Sequence, residues 1–194
     1  MADNAPALLE ITKNLGPLAP LAGTWEGGGG TDVAPSDSRG TDTNPYRERM
    51  VLEPFGPVNN HEQTLWGLRY NTIAWKVGAA DAFHEDHGYW LWDPKAKQVF
   101  RCSVVPRGIV FIAGGSAEAS SREFKITAEV GSPTFGICSN PFLDAEFRTV
   151  RYDMKVTIND DGTFNYEQDT QMLMKGRDQL FHHVDTNKMK RVAG

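Results

Sequence analysis

The sequence predicts an all-β fold, a single antiparallel β-barrel of about ten strands with a short N-terminal helix. Three observations predict it. Several segments alternate between apolar and polar residues, turn residues separate them at short intervals, and helical periodicity is confined to one segment near the N terminus. One buried and one wet face, repeated this often, is typical of a barrel or a sandwich. The 194 residues suffice for one such domain, spanning 1–194, with a full core.

The helical segment is expected from about residue 5 to residue 20. Within it, "APALLEITKN" has the period of a helix, and Asn14 followed by the Gly16-Pro17 pair predicts where the helix ends. Everything after Gly23 has the pattern of strands broken by turn residues.

Alternation is clearest in the C-terminal half of the chain. Residues 123–130 and 150–158 place apolar side chains at every second position, and residues 166–174 place Tyr166, Met172 and Met174 on one face. Because successive side chains of a strand point to opposite faces, we expect this apolar set inside the barrel. The set includes Phe124, Ile126, Tyr152, Met154, Tyr166 and Met172. The Asp161-Gly162 dipeptide, which tolerates positive φ, predicts a hairpin turn between the last two of these strands.

The predicted barrel is wide enough to leave an internal cavity. On the expected inner face of residues 166–174, Gln168 and Thr170 accompany Met172 and Met174. This mixture of polar side chains and flexible methionines is more typical of the wall of a pocket than of a closely packed apolar core. The segment from about Thr31 to Pro45, rich in Pro, Ser, Asp and Gly, predicts a polar loop. Its length indicates either a lid over the barrel mouth or disorder, and disorder is favoured.

Composition excludes several classes of function. The net charge of −5 argues against nucleic acid as a partner and gives no signal for an anionic membrane. No apolar run approaches the roughly 20 residues of a membrane helix, and the N terminus lacks a secretory pattern. Cys102 and Cys138 do not form a disulfide framework, which indicates reduced thiols. We therefore expect a cytoplasmic protein, as a monomer or a homodimer.

The glycine-rich stretch "LAGTWEGGGG" is not a phosphate-binding loop. It lacks the GxxxxGK[ST] pattern, and neither a helix nor a βαβ unit surrounds it. Instead, Trp25 is expected to plug the base of the barrel. The glycines would let the strand bend or approach a ligand closely.

The stretch "FHEDHGYWLWD" groups two histidines with two acids. His84 and His87, with Glu85 and Asp86, have the residue types of a metal site, but the H-x-x-H spacing is loose and no second cluster follows at zinc-like distance. We expect a turn in which His84 or Glu85 ties the end of the barrel together through hydrogen bonds.

The last strand contains two adjacent histidines, which must face opposite sides of the sheet. His182 shares its face with Lys188, whose side chain belongs in solvent, so His183 is expected to point inward with Phe181 and Met189. A lone inward histidine is usually a hydrogen-bonded core residue. Beside a cavity lined by methionines and aromatic residues, it also meets the requirements of a haem iron.

These stretches together resemble the nitrobindin family, haem-binding β-barrels with a lipocalin-like or fatty-acid-binding-protein-like fold. The residues Gly23, Trp25, Gly27 and Gly29 match the family's G-x-W-x-G-x-G motif. "FHEDHGYWLWD", "VVPRGIVFIAGG" and "HHVDTNKMKRV" resemble its later motifs and occur in the same order. The resemblance covers about Leu15 to Val192.

The resemblance implies that the chain binds haem b, with His183 as the ligand of the iron. Asp185, two residues on, is a candidate hydrogen-bond partner for the imidazole. The other residues implied at the cofactor are Gly23, Trp25, Gly27, Gly29, Met172 and Met174. Family members bind nitric oxide and isomerise peroxynitrite to nitrate, and no catalytic residue beyond the haem ligand is implied. A second interpretation stays open, a non-haem carrier of a small lipid-like or other apolar ligand.

Overall fold

A computed structural model describes residues 5–192, and over this range the chain forms a closed β-barrel of eleven strands. Helix α1 is Ala5–Lys13, a 3-10 helix covers Gly16–Leu21, and helix α2 is Pro141–Glu146. The strands are β1 Gly23–Pro35, β2 Thr41–Asn60, β3 Gln63–Lys76, β4 His84–Asp93, β5 Gln98–Val105, β6 Ile109–Ser116, β7 Glu123–Val130, β8 Gly136–Ser139, β9 Phe147–Ile158, β10 Phe164–Met174 and β11 Phe181–Arg191. Neither described α-helix is both long enough and apolar enough to cross a membrane.

The prediction of about ten antiparallel strands is corrected in two respects. The extra strand is β8, and it runs parallel to β7, with Val130 opposite Ile137. Going round the barrel, the order is β1-β11-β10-β9-β7-β8-β6-β5-β4-β3-β2. Strands β6 and β7 pair directly at Gly114 and Thr127, and β8 lies between them toward one end. A strand of four residues is too short to show the alternation on which the prediction relied.

The polar segment from Thr31 to Pro45 is mostly strand, not a disordered loop or a lid. Strands β1 and β2 form a long hairpin in which Asp32 pairs with Asn44, and residues 36–40 make the turn. Arg39 closes this turn with a left-handed backbone (φ 61°) and forms an ion pair with Glu146 of α2. Backbone pairing to a neighbouring strand therefore orders a segment whose composition alone is typical of a loop.

One end of the barrel is closed by apolar side chains. Trp25 is 1% exposed, packs edge-on against Phe164 with ring centroids 4.8 Å apart, and donates its indole N–H to the Leu21 carbonyl at 2.7 Å. Leu18 of the 3-10 helix and Trp92 of β4 are buried in the same core. The predicted role of Trp25 as a plug at the base is confirmed. We call this end the base.

The predicted inner face is confirmed for all six residues named in the sequence analysis. Each is buried, at 7% exposure or less: Phe124, Ile126, Tyr152, Met154, Tyr166 and Met172. The middle of the barrel differs from the cavity that was expected, because hydrogen-bonded polar side chains occupy it. The sequence pattern alone could not show this, because the hydrogen-bond partners that allow charged residues of β2, β4 and β5 to be buried lie on other strands.

Two networks make up this middle layer. In the first, the buried Arg101 pairs with Asp86 and also donates to the hydroxyls of Tyr70 at 3.1 Å and Tyr152 at 2.6 Å. Ser103 donates to Asp86 at 2.6 Å. Buried ionic groups require ionic and hydrogen-bond partners of this kind, because an unpaired charge in the protein interior is costly in free energy.

The second network surrounds Glu48. Its Oε1 accepts hydrogen bonds from the Tyr166 hydroxyl at 2.7 Å and from the Asn187 amide at 2.8 Å. The hydroxyls of Tyr46 and Tyr166 are 2.6 Å apart. Burial raises the pKa of Glu48 to about 7, so this carboxyl is partly protonated near neutral pH.

Candidate functional site

The candidate site lies at the end opposite the base, where β1, β5, β7 and β10 end and β4, β9 and β11 begin. We call this end the mouth. His183 lies on the inner side of β11 with its side chain 26% exposed, whereas the side chain of His182 is 54% exposed. His182 bonds to Asp169 on the outer face through Nδ1 at 2.7 Å. The predicted orientation of the two histidines is therefore confirmed.

The inner imidazole is held by a carboxylate of β1. His183 Nε2 lies 2.8 Å from Asp32 Oδ1 and 3.6 Å from Asp185 Oδ2. The closure of the barrel creates this arrangement, because β1 pairs with β11 and places Asp32 directly opposite Asp185. One ligand atom from each of the three side chains lies within 4.8 Å of the others. We call these three residues the mouth triad.

Amide side chains hold both carboxylates in place. Asn44, on β2, donates to Asp32 Oδ2 at 3.2 Å, and Gln168, on β10, donates to Asp185 Oδ2 at 3.1 Å. Gln168 in turn accepts from the Tyr152 hydroxyl at 2.9 Å, which connects the mouth to the Arg101 network below it. The triad is thus fixed by four strands of the barrel rather than by loops.

The charges in the triad act on one another. Burial alone would lower the pKa of His183, but the hydrogen bond to Asp32 and the charge of Asp185 outweigh it and raise that pKa. Burial would raise the pKa of Asp32, yet the bond and charge of His183 lower it. Burial, with the nearby Asp32 charge, raises the pKa of Asp185. The imidazolium is consequently favoured beside one ionised carboxylate.

A second group of side chains reaches the mouth from β4 and the β5–β6 turn. A cavity of about 180 Å³ is lined by His84, Phe83, Val105 and Arg107 among others. Burial lowers the pKa of His84 and outweighs the charge of Asp86, which raises it, and the charges of Arg107 and His183 lower it further. His84 is therefore a neutral imidazole near neutral pH, with a guanidinium in the same cavity.

The stretch from His84 to His87 is the start of β4, not the predicted turn. Alternation sends His84 and Asp86 inward, while Glu85 and His87 bond to each other on the outer face. The two histidines thus face opposite sides. The buried hydrogen-bonding acid is Asp86, and His84 and Glu85, from which this role was expected, do not have it.

The residues implied by the resemblance do not all meet at His183. Met172 pairs with Phe181, next to His183 in the register of β10 and β11, and Met174 continues the same buried cluster. Trp25 belongs to the base, seven residues from Asp32 along β1, which is roughly 20 Å at about 3.3 Å per residue. Gly23 and Gly27 lie beside it on the same strand, and Gly29 begins the approach to the mouth.

The hydrogen bonding of the His183 ring fits a residue that would hold a haem iron. Asp32 holds Nε2, and Nδ1 makes no hydrogen bond within residues 5–192. A metal-bound imidazole usually donates its other ring N–H to a carboxylate in this way. The neighbouring Met172 and Phe181 are apolar and buried. The cavity of about 180 Å³ is smaller than the roughly 300–1,000 Å³ of pockets that bury a drug-sized ligand, so it would hold only part of a macrocycle.

Sequence reasoning missed Asp32, the closest partner of His183. Asp185 was the candidate, and it is the more distant of the two. Asp32 was missed because its segment was assigned to a loop. Closure of the barrel was the available signal, since a first strand that pairs with the last one must place its inward residues beside those of β11.

Comparisons with known proteins agree with this architecture. The family model described as "THAP4-like, heme-binding beta-barrel domain" matches residues 14–191. Among solved structures, that of Rv2717c from M. tuberculosis is similar, with a TM-score of 0.65 and 21% identity over 98% of this chain and 100% of that chain. At this identity the likeness shows the fold alone. No curated protein matches the chain significantly.

Proposed function

The chain belongs to the family of THAP4-like, heme-binding β-barrel domains, the nitrobindin family, and from this membership we propose that it binds haem b at His183 and acts on nitrogen oxides. The observation that carries the proposal is the state of the His183 ring. One nitrogen is bonded to Asp32 at 2.8 Å, and the other makes no hydrogen bond among the described residues. We propose Nδ1 as the ligand atom.

The roles of the surrounding residues follow from their contacts. Asp32 accepts the hydrogen bond from Nε2, which fixes the ring and raises the basicity of the other nitrogen. Asn44 keeps Asp32 in place from the far side. Met172 and Phe181, a buried apolar cluster beside His183, would form part of the wall behind the cofactor.

Bound haem would supply a Lewis-acidic iron that takes up nitric oxide and promotes isomerisation of peroxynitrite to nitrate. The chain would contribute a neutral imidazole at His84 and the positive charge of Arg107, which line the same cavity. An anionic oxidant is attracted by such a charge, and a neutral imidazole can donate a hydrogen bond to it.

Titration with hemin tests the haem site. The wild-type chain should give a Soret band that saturates at one equivalent, and His183→Ala should abolish tight binding. His182→Ala is the matched control, because it removes an adjacent imidazole that also bonds to a carboxylate but faces outward. Equal binding by both variants would contradict His183 as the ligand, as would loss of binding in His182→Ala alone.

Reactivity needs a separate test. Ferrous haem-loaded protein should form a nitrosyl spectrum with nitric oxide, and the ferric form should speed peroxynitrite decay with nitrate as the product in stopped-flow measurements. Decay at the rate of the protein without haem would contradict the activity while leaving haem binding intact. The alternative of an apolar-ligand carrier has less support, because Arg101, Asp86 and Glu48 occupy the middle of the barrel.

A further inference from the structure

We propose that the mouth triad, Asp32, His183 and Asp185, is a binding site for a divalent transition-metal cation in the haem-free chain. The proposal goes beyond the proposed function, because it uses the Nε2 nitrogen of His183 and two carboxylates rather than Nδ1 and a porphyrin. It assigns Asp185 a role that haem binding does not require.

The spacing of the three side chains suits a single ion. Ligands bound at about 2.1 Å and separated by tetrahedral or octahedral angles lie about 3.0–3.4 Å apart. Nε2 of His183 is 2.8 Å from Asp32 Oδ1 and 3.6 Å from Asp185 Oδ2, which bracket that range. All three ligand atoms lie within 4.8 Å of one another. Rotation of the carboxylate side chains would bring the three atoms around one cation.

The charge and burial of the site favour a cation. The side chain of Asp32 is 3% exposed and that of Asp185 is 17% exposed, so two carboxylates face each other away from bulk water. Like charges in such surroundings repel strongly because solvent does not screen them. A divalent ion neutralises both carboxylates together, which a single imidazolium does only in part.

The carboxylates are also held in place by groups that are not ligands. Asn44 donates to Asp32 and Gln168 donates to Asp185, so each carboxylate has its own amide partner on a neighbouring strand. Metal sites in proteins share this feature, since outer hydrogen bonds orient the ligands. The triad therefore needs little reorganisation to receive an ion.

The donor set indicates which ions to test. One imidazole nitrogen with two carboxylate oxygens suits Zn²⁺, Fe²⁺ or Mn²⁺, whereas Mg²⁺ prefers oxygen ligands alone. Zn²⁺ also binds thiolates, and the chain has two free cysteines, Cys102 and Cys138. Mn²⁺ avoids this complication because it prefers oxygen and nitrogen ligands. Zn²⁺ and Mn²⁺ are therefore the probes, and Mg²⁺ is the control ion.

The experiment uses the untagged full-length chain, freed of metal with a chelator and free of haem. Calorimetry with Zn²⁺ and electron paramagnetic resonance with Mn²⁺ should each show one site per chain, with Mg²⁺ at least about 10-fold weaker. Asp185→Asn, Asp32→Asn and His183→Ala should each weaken binding by about 100-fold or more. Near-UV circular dichroism checks that every variant is folded.

Asp169→Asn is the matched control, since Asp169 of β10 pairs with His182 of β11 at 2.7 Å on the outer face of the barrel. It should leave the affinity for both ions unchanged. Absence of Mn²⁺ and Zn²⁺ binding by the wild-type chain would overturn the proposal, as would binding that Asp185→Asn and Asp32→Asn leave intact. Should one variant fail to fold, the other two still decide, because the proposal requires every ligand.

The result is separable from the haem proposal. Asp185→Asn should lose the metal site and keep hemin binding, because Asp32 still holds His183. A wild-type chain that binds Mn²⁺ but not hemin would refute the haem site alone. A chain that binds hemin but neither ion would refute the metal site alone.

Discussion

The two ends of the barrel are built from different chemistry. At the base, Trp25 and Leu18 are 1% and 0% exposed and meet other apolar side chains. At the mouth, Asp32 and His183 form a partly buried pair of ionisable groups, 2.8 Å apart, on the same two strands that meet at the base. Strand β1 thus contributes a tryptophan to one end and a carboxylate to the other.

The difference indicates that one end of β1 serves the stability of the chain and the other end serves ligand binding. Apolar burial contributes most of the favourable free energy of folding, so the base should dominate the stability of the chain. Ionisable groups that are partly buried contribute little net stability, so their placement at the mouth is better explained by ligand binding. Substitutions should therefore lower the free energy of unfolding most at the base, less in the layer between the two ends, and least at the mouth.

The largest expected effect is at the base. Trp25→Ala should lower the free energy of unfolding by about 4 kcal/mol, because it removes a fully buried ring and the contacts with Phe164. Urea denaturation measures it. Trp75→Ala, at a half-buried position, should cost about 1 kcal/mol. A Trp25→Ala cost as small as that of the control would mean that the base is not the stabilising end.

Arg101→Met in the middle layer should cost about 3–4 kcal/mol, because Asp86 would lose its ionic partner while remaining buried. Tyr70 and Ser103 still donate to Asp86, which places the cost at the lower end of the usual range. The double variant Arg101→Met/Asp86→Leu should be less destabilised than the sum of the two single variants. Additive costs in chemical denaturation would show that the pair is not coupled.

Glu48 should make the stability depend on pH. Its pKa is about 7 in the folded chain and near 4.5 in the unfolded chain. Below pH 4.5 Glu48 is protonated in both states, and its full contribution to the free energy of unfolding is present. As the pH rises toward 7, Glu48 ionises in the unfolded chain first, so the unfolded chain becomes more favourable and that contribution is lost. The loss reaches at most about 3 kcal/mol, since one pKa unit is about 1.4 kcal/mol.

Glu48→Gln keeps an acceptor for Tyr166 and Asn187 but cannot ionise. The difference in unfolding free energy between wild type and this variant should therefore shift in favour of the variant between pH 5 and pH 8. Parallel pH profiles of the two proteins would show that Glu48 is already ionised in the folded chain.

The smallest effects are expected at the mouth. His183→Ala should lower the unfolding free energy by about 1–2 kcal/mol, because the buried Asp32 loses its imidazole partner but keeps the hydrogen bond from Asn44. His182→Ala should change it by less than about 0.5 kcal/mol, because the pair of His182 with Asp169 is largely exposed. The same variants should differ sharply in hemin titration. A thermal or urea shift for His183→Ala as large as that for Trp25→Ala would remove the contrast between the two ends.

The sequence predicted those features that depend on alternation. The inner faces of β7, of β9 from Tyr152 onward and of β10, and the inward orientation of His183, follow from period two. A register shift between β9 and β10 at Gln171/Met172 interrupts that period at Val150, which is only half-buried, while Thr149 is buried. The role of Trp25 followed from its size and its place at the start of the first strand. The family resemblance added the order of the motifs.

Features that depend on pairing between distant strands were not predicted. Asp32 looks like a loop residue until β11 is placed beside it. Asp86 and Glu85 are adjacent acids, and the sequence does not show which one meets Arg101 inside the barrel. Glu48 has the parity of the apolar Tyr46, Met50 and Leu52, but a carboxylate is ordinarily assigned to solvent, and only the structure shows that it is 4% exposed. A pattern that distinguishes only apolar from polar residues does not predict which polar residues are buried inside a barrel.

The short parallel strand β8 has a consequence for how the wall opens. Along the described chain, β6 and β7 share the single direct pair Gly114–Thr127, whereas the other neighbours are joined by longer ladders. At Gly115, a Cβ would meet the Lys125 carbonyl oxygen at 1.9 Å, so the strands approach there as bare backbone. Two strands that share few backbone hydrogen bonds are the first to separate when the barrel opens locally. The β6 amides that face β7 should therefore exchange with deuterium before those of β9 and β10. Transient separation of β6 from β7 would also give small molecules a route through the barrel wall that bypasses the mouth.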